Sequence, residues 1–265
     1  MLPERILITG AAGGIGTLMR PRMNRPGRTL RMLDVKSVPP AENGESVEIV
    51  EGSVTDPDAM LRACADVDAV VHLGGHSREN TWPETLSLNV DGTRTVLEAA
   101  RRAGVPRVVL ASSNHAAGFR RVDEAGDAGL PADSAPRPDT HYGVSKAAME
   151  ALGSLYHSRS GMDVICVRIG SCFERVDDER GLGLWLSPDD CARLFEACLS
   201  CPSPGYRVVW GVSDNTRRVV SLDEARAIGY QPQDDAEKFA GEVTAGPDHE
   251  HLGGPFTIAP LGEPN

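Results

Sequence analysis

The stretch that decides the fold is "ILITGAAGGIG", residues 6–16. An apolar run ends at Thr9, and glycines follow at positions 10, 13, 14 and 16. Gly10, Gly13 and Gly16 permit a tight turn and let the backbone approach a pyrophosphate at a helix N-terminus. A glycine pattern alone is weak evidence. Here it gains weight from its place between a strand-like run and the helix-like "GIGTLMRPRM". The next strand-like run, "TLRMLD", ends in Asp34. An acid at that place accepts hydrogen bonds from the adenosine ribose hydroxyls. Asp34 would repel a 2′-phosphate, and Val35 rather than an arginine follows it, so NAD is favoured over NADP.

Outward from the loop, apolar runs alternate with helix-length segments. "SVEIVEG" (46–52), "DAVVHLGG" (68–75), "VPRVVLASS" (105–113) and "DVICVRIGS" (163–171) read as strands. Between them lie "DPDAMLRACAD", "WPETLSLNVDGTRTVLEAARRAG" and "HYGVSKAAMEALGSLYHSRSG", which read as helices, the last two closed by Gly104 and Gly161. This order predicts an α/β fold: a Rossmann-type, doubly wound parallel sheet with ligands at the carboxyl ends of its strands. Residues 1–172 form the expected nucleotide-binding domain. Residues 173–265 form a small C-terminal substrate-binding portion packed on it as one compact unit. Within that portion "SPDDCARLFEACLS" predicts a capped helix and "YRVVWGVS" a strand. A Pro- and Gly-rich tail from about residue 231 is expected to fold back over the main domain.

Composition excludes several classes. A net charge of −11 disfavours nucleic acid and anionic membranes as partners. No apolar run approaches the ~18 residues of a membrane span, and no secretory leader is read, so a cytoplasmic protein is expected. Six scattered cysteines fit reduced thiols better than a disulfide framework. "CLSC" (198–201) and "DHEH" (248–251) are formal metal or redox motifs, but one sits late in a helix and the other in the tail. No metal is expected. His72, inside a strand, reads as a core histidine, and Trp82, Trp185 and Trp210 read as packing residues.

Two further stretches carry chemistry. "YGVSK" places Tyr142 and Lys146 four residues apart, hence on one helical face. Tyrosine titrates at ~10, too high for a base at neutral pH, and a nearby ammonium favours its phenolate. "ASSNHAAG" (111–118) ends a buried strand in four polar side chains. Ser113 is the expected catalytic hydroxyl there, Ser112 supports the loop, and Asn114 and His115 face a ligand.

Joined, the glycine loop, Ser113 and the Tyr142–Lys146 pair resemble the short-chain dehydrogenase/reductase superfamily in its extended, epimerase-like branch. The resemblance implies a Ser113–Tyr142–Lys146 triad. "HLGGHS", "SSNH", "YGVSK", "VRIGSC" and the run from Arg180 to "WLSPDD" are similar, more narrowly, to the bacterial uronate dehydrogenase family. That family oxidises the anomeric carbon of glucuronate or galacturonate with NAD, giving an aldarolactone. The resemblance implies that Ser77, Ser113, Asn114, His115, Tyr142, Ser171 and Arg180 contact the substrate. It places Gly14, Ile15, Ser53, Val54, Leu73, Gly74, Tyr142, Lys146 and Ile169 against the cofactor. Ser53, followed by Val54, stands where the family has an Asp facing the adenine. His76 and Arg78 replace apolar neighbours of Ser77, and the loop before Arg180, "ERVDDERG", is strongly acidic.

Tyr142 is then the base, Ser113 binds the reacting oxygen, Lys146 holds the tyrosine pKa down, and Arg180 grips the uronate carboxylate. A nucleotide-sugar epimerase or dehydratase is the alternative within the superfamily. Only about 90 residues follow Ser171, with no basic cluster for a diphosphate. A non-catalytic NAD-sensing regulator is the alternative of another class. The resemblance also implies a homo-oligomer, formed over helices 82–103 and 141–160.

Overall fold

A computed structural model describes residues 4–244 and 250–264. The strands are β1 (Arg5–Thr9), β2 (Thr29–Asp34), β3 (Val47–Glu51), β4 (Ala69–His72), β5 (Arg107–Ser113), β6 (Asp163–Ile169), β7 (Ser171–Cys172), β8 (Trp185–Leu186) and β9 (Tyr206–Gly211). The helices are α1 (Gly14–Met23), α2 (Pro57–Ala63), α3 (Trp82–Thr85), α4 (Gly92–Ala103), α5 (His141–Ser160), α6 (Gly181–Leu184), α7 (Pro188–Ser200) and α8 (Asp223–Ala227). Seven strands form one sheet in the order β3-β2-β1-β4-β5-β6-β9, and every pairing is parallel. Chain order reverses between β1 and β4, which makes the crevice above those two strands the switch point.

Alternation along each strand explains why helices cover both faces. Ile6 and Ile8 pack with Met19 and Met23 of α1 and with Leu194 and Phe195 of α7. Leu7 between them packs on the other side, with Met60 of α2, Val96 and Leu97 of α4 and Met149 of α5. These side chains are wholly or almost wholly buried. Each stabilises the fold by about 1.5–3 kcal/mol relative to exposure. The sheet crosses the boundary expected at residue 172, because β9 pairs with β6 from Val164↔Tyr206 to Ile169↔Gly211.

Helix ends follow the sequence signals. Asp56 caps α2 by accepting from the Asp58 and Ala59 amides, and Ser187 caps α7 by accepting from Asp190. Thr140 caps α5 through the Gly143 amide, at 3.0 Å. The long helix read over 82–103 is interrupted: residues Leu86–Asp91 form a π-helical turn between α3 and α4. The extra residue in that turn aims Asn89, fully buried, at the start of α5.

Among the described residues no helix is long and apolar enough to cross a membrane. No group of three metal-ligating side chains occurs among them either. Cys198 and Cys201 lie at the end of α7 and are free thiols, like the other four cysteines. Asp248 and His249 of the "DHEH" motif lie outside the described residues. His72 is fully buried between the hydroxyls of Thr9 (2.7 Å) and Thr93 (3.2 Å), and burial lowers it to about 3. It is a neutral core histidine. Trp185 and Trp210 are buried packing residues, whereas Trp82 is partly exposed with its ring edge-on to His141.

Candidate active site

The glycine loop joins β1 to α1 and runs against the end of β4. Gly10 has φ +69°, and a Cβ there would lie 2.7 Å from the Gly74 nitrogen. A Cβ on Gly16 would lie 2.5 Å from the Ala11 carbonyl oxygen. Only glycine lets these segments approach so closely. Gly13 is the N-cap of α1 and offers no side-chain cap, and the first turn holds no acidic residue. The amides of Gly14, Ile15 and Gly16 therefore open the helix unshielded, in the arrangement that receives a phosphate.

Asp34, at the end of β2, accepts from the Ala12 amide through Oδ2 (2.9 Å) and from the Lys36 amide through Oδ1 (2.9 Å). Those bonds fix the carboxylate beside the loop while leaving lone pairs for a diol. Leu73 and Gly74 extend β4 alongside, their amides donating to Thr9. Val54 is buried against Gly74 and Gly92, and Ser53 bonds the Thr55 hydroxyl at 2.8 Å. Ile169 stands in register with Ser113, so these candidate cofactor residues lie at the carboxyl ends of the parallel strands. A loop that a Cβ would block, open helix amides and a fixed carboxylate together fit a dinucleotide.

The candidate catalytic side chains, Ser113, Tyr142 and Lys146, meet at the end of β5. The backbone turns there into a single 3-10 turn, Asn114–Ala117, and Ser113 Oγ accepts from the His115 amide at 3.2 Å. Ser113 also hydrogen-bonds the Tyr142 hydroxyl. Lys146 Nζ donates to the Ala111 carbonyl at 2.7 Å and lies 5.5 Å from the Tyr142 ring centroid. Both Tyr142 and Lys146 are buried.

Burial decides the titration of this pair. It pushes Tyr142 up to about 12, against the hydrogen bond from Ser113, and the Asp139 charge adds to the rise. It pulls Lys146 down to about 8, opposed by Glu150. The sequence reading has the Lys146 ammonium and an oxidised nicotinamide together favour the phenolate; within the protein itself desolvation is the largest influence on Tyr142. Beneath the site Ser112 Oγ donates to Glu150 (2.6 Å), and Arg168 holds the same carboxylate through two bonds of 2.8 Å. Ser112 therefore ties the strand end to α5.

The tail completes the site. Leu252 and Gly253 donate their amides to the carbonyls of Arg120 (3.0 Å) and Gly118 (2.9 Å). The Leu252 carbonyl accepts from Asn114 Nδ2 at 3.1 Å and from Arg180 Nε at 3.0 Å, with Arg180 Nη2 on the same oxygen. Arg180 is thereby held beside Asn114, one residue from Ser113. Burial works against its charge, and Asp178 and Asp139 support it. The Nε–Nη2 edge of its fork faces the tail. Phe256 lies over the His115 ring, centroids 4.1 Å apart.

Ser171 is half-buried on β7, in register with Trp185. Ser77 is exposed in the loop after β4, together with Arg78. Three buried groups went unread in the sequence. Glu79 accepts from the amides of Tyr142 (2.9 Å) and Gly262 (2.8 Å), clamping the tail to the start of α5. Asn89 bonds Ser145 Oγ (2.9 Å) and both backbone groups of His76. Asp139 bonds the His115 ring. Each of the three joins segments far apart in the chain, so no local spacing marks it.

The model of the NAD dependent epimerase/dehydratase family matches residues 6–175. A uronate dehydrogenase of Pseudomonas putida is 39% identical, covering 97% of this chain and 96% of the relative. An NAD-dependent glucose-6-phosphate dehydrogenase of Haloferax volcanii is 37% identical over 91% of this chain and 97% of its own. A solved uronate dehydrogenase from Agrobacterium tumefaciens, a mutant complexed with NAD, superposes with a TM-score of 0.89. It is 36% identical, covering 97% of this chain and 98% of that one. The chain belongs to the NAD dependent epimerase/dehydratase family and, within it, to the uronate dehydrogenases.

Proposed function

We propose that this protein oxidises a free hexuronate, D-glucuronate or D-galacturonate, at its anomeric carbon to the aldarolactone, with NAD as cofactor. The observation that carries the reading is the shared acceptor at Leu252, which holds a half-buried arginine beside the end of the proposed catalytic strand. An arginine there suits a small sugar acid, and its guanidinium supplies both charge and orientation.

NAD supplies the hydride acceptor and, in its oxidised form, a positive charge near Tyr142. The amides of Gly14, Ile15 and Gly16 would hold its pyrophosphate and Asp34 its adenosine ribose. Tyr142 takes the proton of the anomeric hydroxyl, while Ser113 bonds the same oxygen. Lys146 matters through the shared proton count of the pair. Loss of one proton gives either neutral lysine with tyrosine, or ammonium with phenolate; these are two forms of one titration state. The second form is the base. It is available once the pair has lost its first proton, near the value of about 8 carried by Lys146, and does not require a pH near 12. Arg180, Asn114, His115, Ser77 and Ser171 orient the sugar. We take the enzyme to be cytoplasmic and homo-oligomeric, supported by its free cysteines and by exposed Val144 and Leu155 on α5.

The test is NADH formation across free uronates, neutral hexoses, hexose 6-phosphates and nucleotide sugars, with NAD and NADP in parallel. Steady NADH from free uronates supports the reading. Turnover confined to nucleotide sugars without net NADH, or preference for a hexose 6-phosphate, overturns it.

A further inference from the structure

His115 is held more tightly than a side chain that merely lines a pocket. Its Nδ1 lies 2.6 Å from Asp139 Oδ2, and the Asp139 side chain is fully buried. The other oxygen, Oδ1, accepts from the Thr140 hydroxyl at 2.9 Å, so the carboxylate cannot swing away without orphaning a buried donor. Two backbone segments close on it: a Cβ at Gly118, after the 3-10 turn, or at Gly253, in the tail, would overlap the carboxyl group. One face of the imidazole is covered by Phe256, and the Tyr142 ring approaches edgewise with centroids 5.7 Å apart. Among the described residues Nε2 has no hydrogen-bond partner.

We propose that Asp139 is a positioning residue for the reaction, acting through His115. Its carboxylate can only accept, so the bonded Nδ1 carries the proton in the neutral ring. Nε2 is then the acceptor and takes a hydrogen bond from a sugar hydroxyl beside the Ser113–Tyr142 oxygen site. The proposal assigns the polarity of one contact: a hydroxyl donates to His115, and a group that can only accept is not received there by the neutral imidazole. It rests on the dehydrogenase reading for its kinetic arm alone. The tautomer is a property of the protein without substrate.

Nitrogen-15 NMR of the imidazoles, at a pH where the ring is neutral, reads the tautomer in the wild-type protein, with His115 assigned by its loss in His115→Ala. A protonated Nδ1 and a bare Nε2 are expected; the Nε2–H tautomer overturns the proposal. Asp139→Asn presents either an acceptor or a donor to Nδ1, and kcat/KM for the uronate is expected to fall about 10–100-fold. In a His115→Ala background the same substitution is expected to change kcat/KM by no more than about threefold, since its route is gone. A full additional loss in that background, or an Asp139→Asn enzyme within about twofold of wild type, overturns the proposal. An enzyme inactive on uronates would defeat the functional reading and leave the tautomer measurement to decide this one.

Discussion

Asn114 and Arg180 donate to one acceptor, the backbone carbonyl of Leu252. The first belongs to the turn after β5, the second to the N-cap of α6, and the third to the tail. This oxygen fixes Arg180 relative to the end of β5, where the proposed function places the chemistry and a receiver for the substrate's acid group.

On the proposed function Arg180→Ala should cost about 2–4 kcal/mol of transition-state binding, roughly 30- to 1000-fold in kcat/KM for uronates, because the substrate carboxylate loses its charged partner. NAD affinity should hardly change. Steady-state kinetics with cofactor titration checks both, and an unchanged Michaelis constant for uronates would remove Arg180 from its role. Deleting residues 251–265 should abolish uronate turnover while NAD binding persists, since it removes the Leu252 carbonyl and Phe256 but leaves the glycine loop.

Tyr142→Phe removes the proton acceptor and leaves the ring's packing. Turnover should fall about 10²–10⁴-fold with NAD binding intact. Turnover close to wild type in this variant would contradict the assignment of Tyr142 as base.

The pH profile follows from the pair. In wild type, kcat/KM should rise through an apparent pKa near the value of about 8 held by Lys146. Lys146→Met should move the rising limb toward the value of about 12 held by Tyr142. Stability should move the other way. Lys146 titrates at about 8 in the fold against 10.5 ordinarily, so the folded state carries a penalty for the ammonium that is full below pH 8 and gone above about 10.5. Lys146→Met should thus be more stable than wild type at pH 7, by up to about 2–3 kcal/mol, with the gap closing as pH rises. Denaturant unfolding at several pH values measures it; a gap that widens with pH would reverse the sign.

Glu79→Ala leaves the Tyr142 and Gly262 amides without their acceptor. A loss of about 1–3 kcal/mol in stability is expected, together with a lower kcat, because the clamp joins the tail to the helix that carries the base. Glu79→Gln keeps an acceptor oxygen and should recover part of both. Unfolding and initial-rate measurements on the two variants separate the outcomes.

The sheet was legible because its signals are local. Apolar runs, glycine spacing and capping residues lie within a few positions of one another, and "ITGAAGGIG" through Asp34 carries a whole binding unit. The proximity of Tyr142 and Lys146 was legible because the two share a helical face. What escaped the sequence joins distant segments through groups that have no letter: the Leu252 carbonyl, the Tyr142 amide on Glu79, the Gly118 and Gly253 backbones against Asp139. The π turn at Leu86–Asp91 escaped because one inserted residue leaves an apolar period almost unchanged. The tyrosine's titration escaped because spacing reports a neighbouring ammonium, whereas burial, the largest cause of its raised pKa, is a property of the packed molecule.

The central claim is oxidation at the anomeric carbon, and isotope transfer tests it most directly. D-galacturonate or D-glucuronate deuterated at C1 is incubated with the protein and NAD, and the reduced cofactor and the sugar product are analysed by mass spectrometry and NMR. One deuterium in the reduced nicotinamide, with an unlabelled aldarolactone as product, is the predicted result. Reduced cofactor without deuterium, or a product that retains it at C1, would contradict the account.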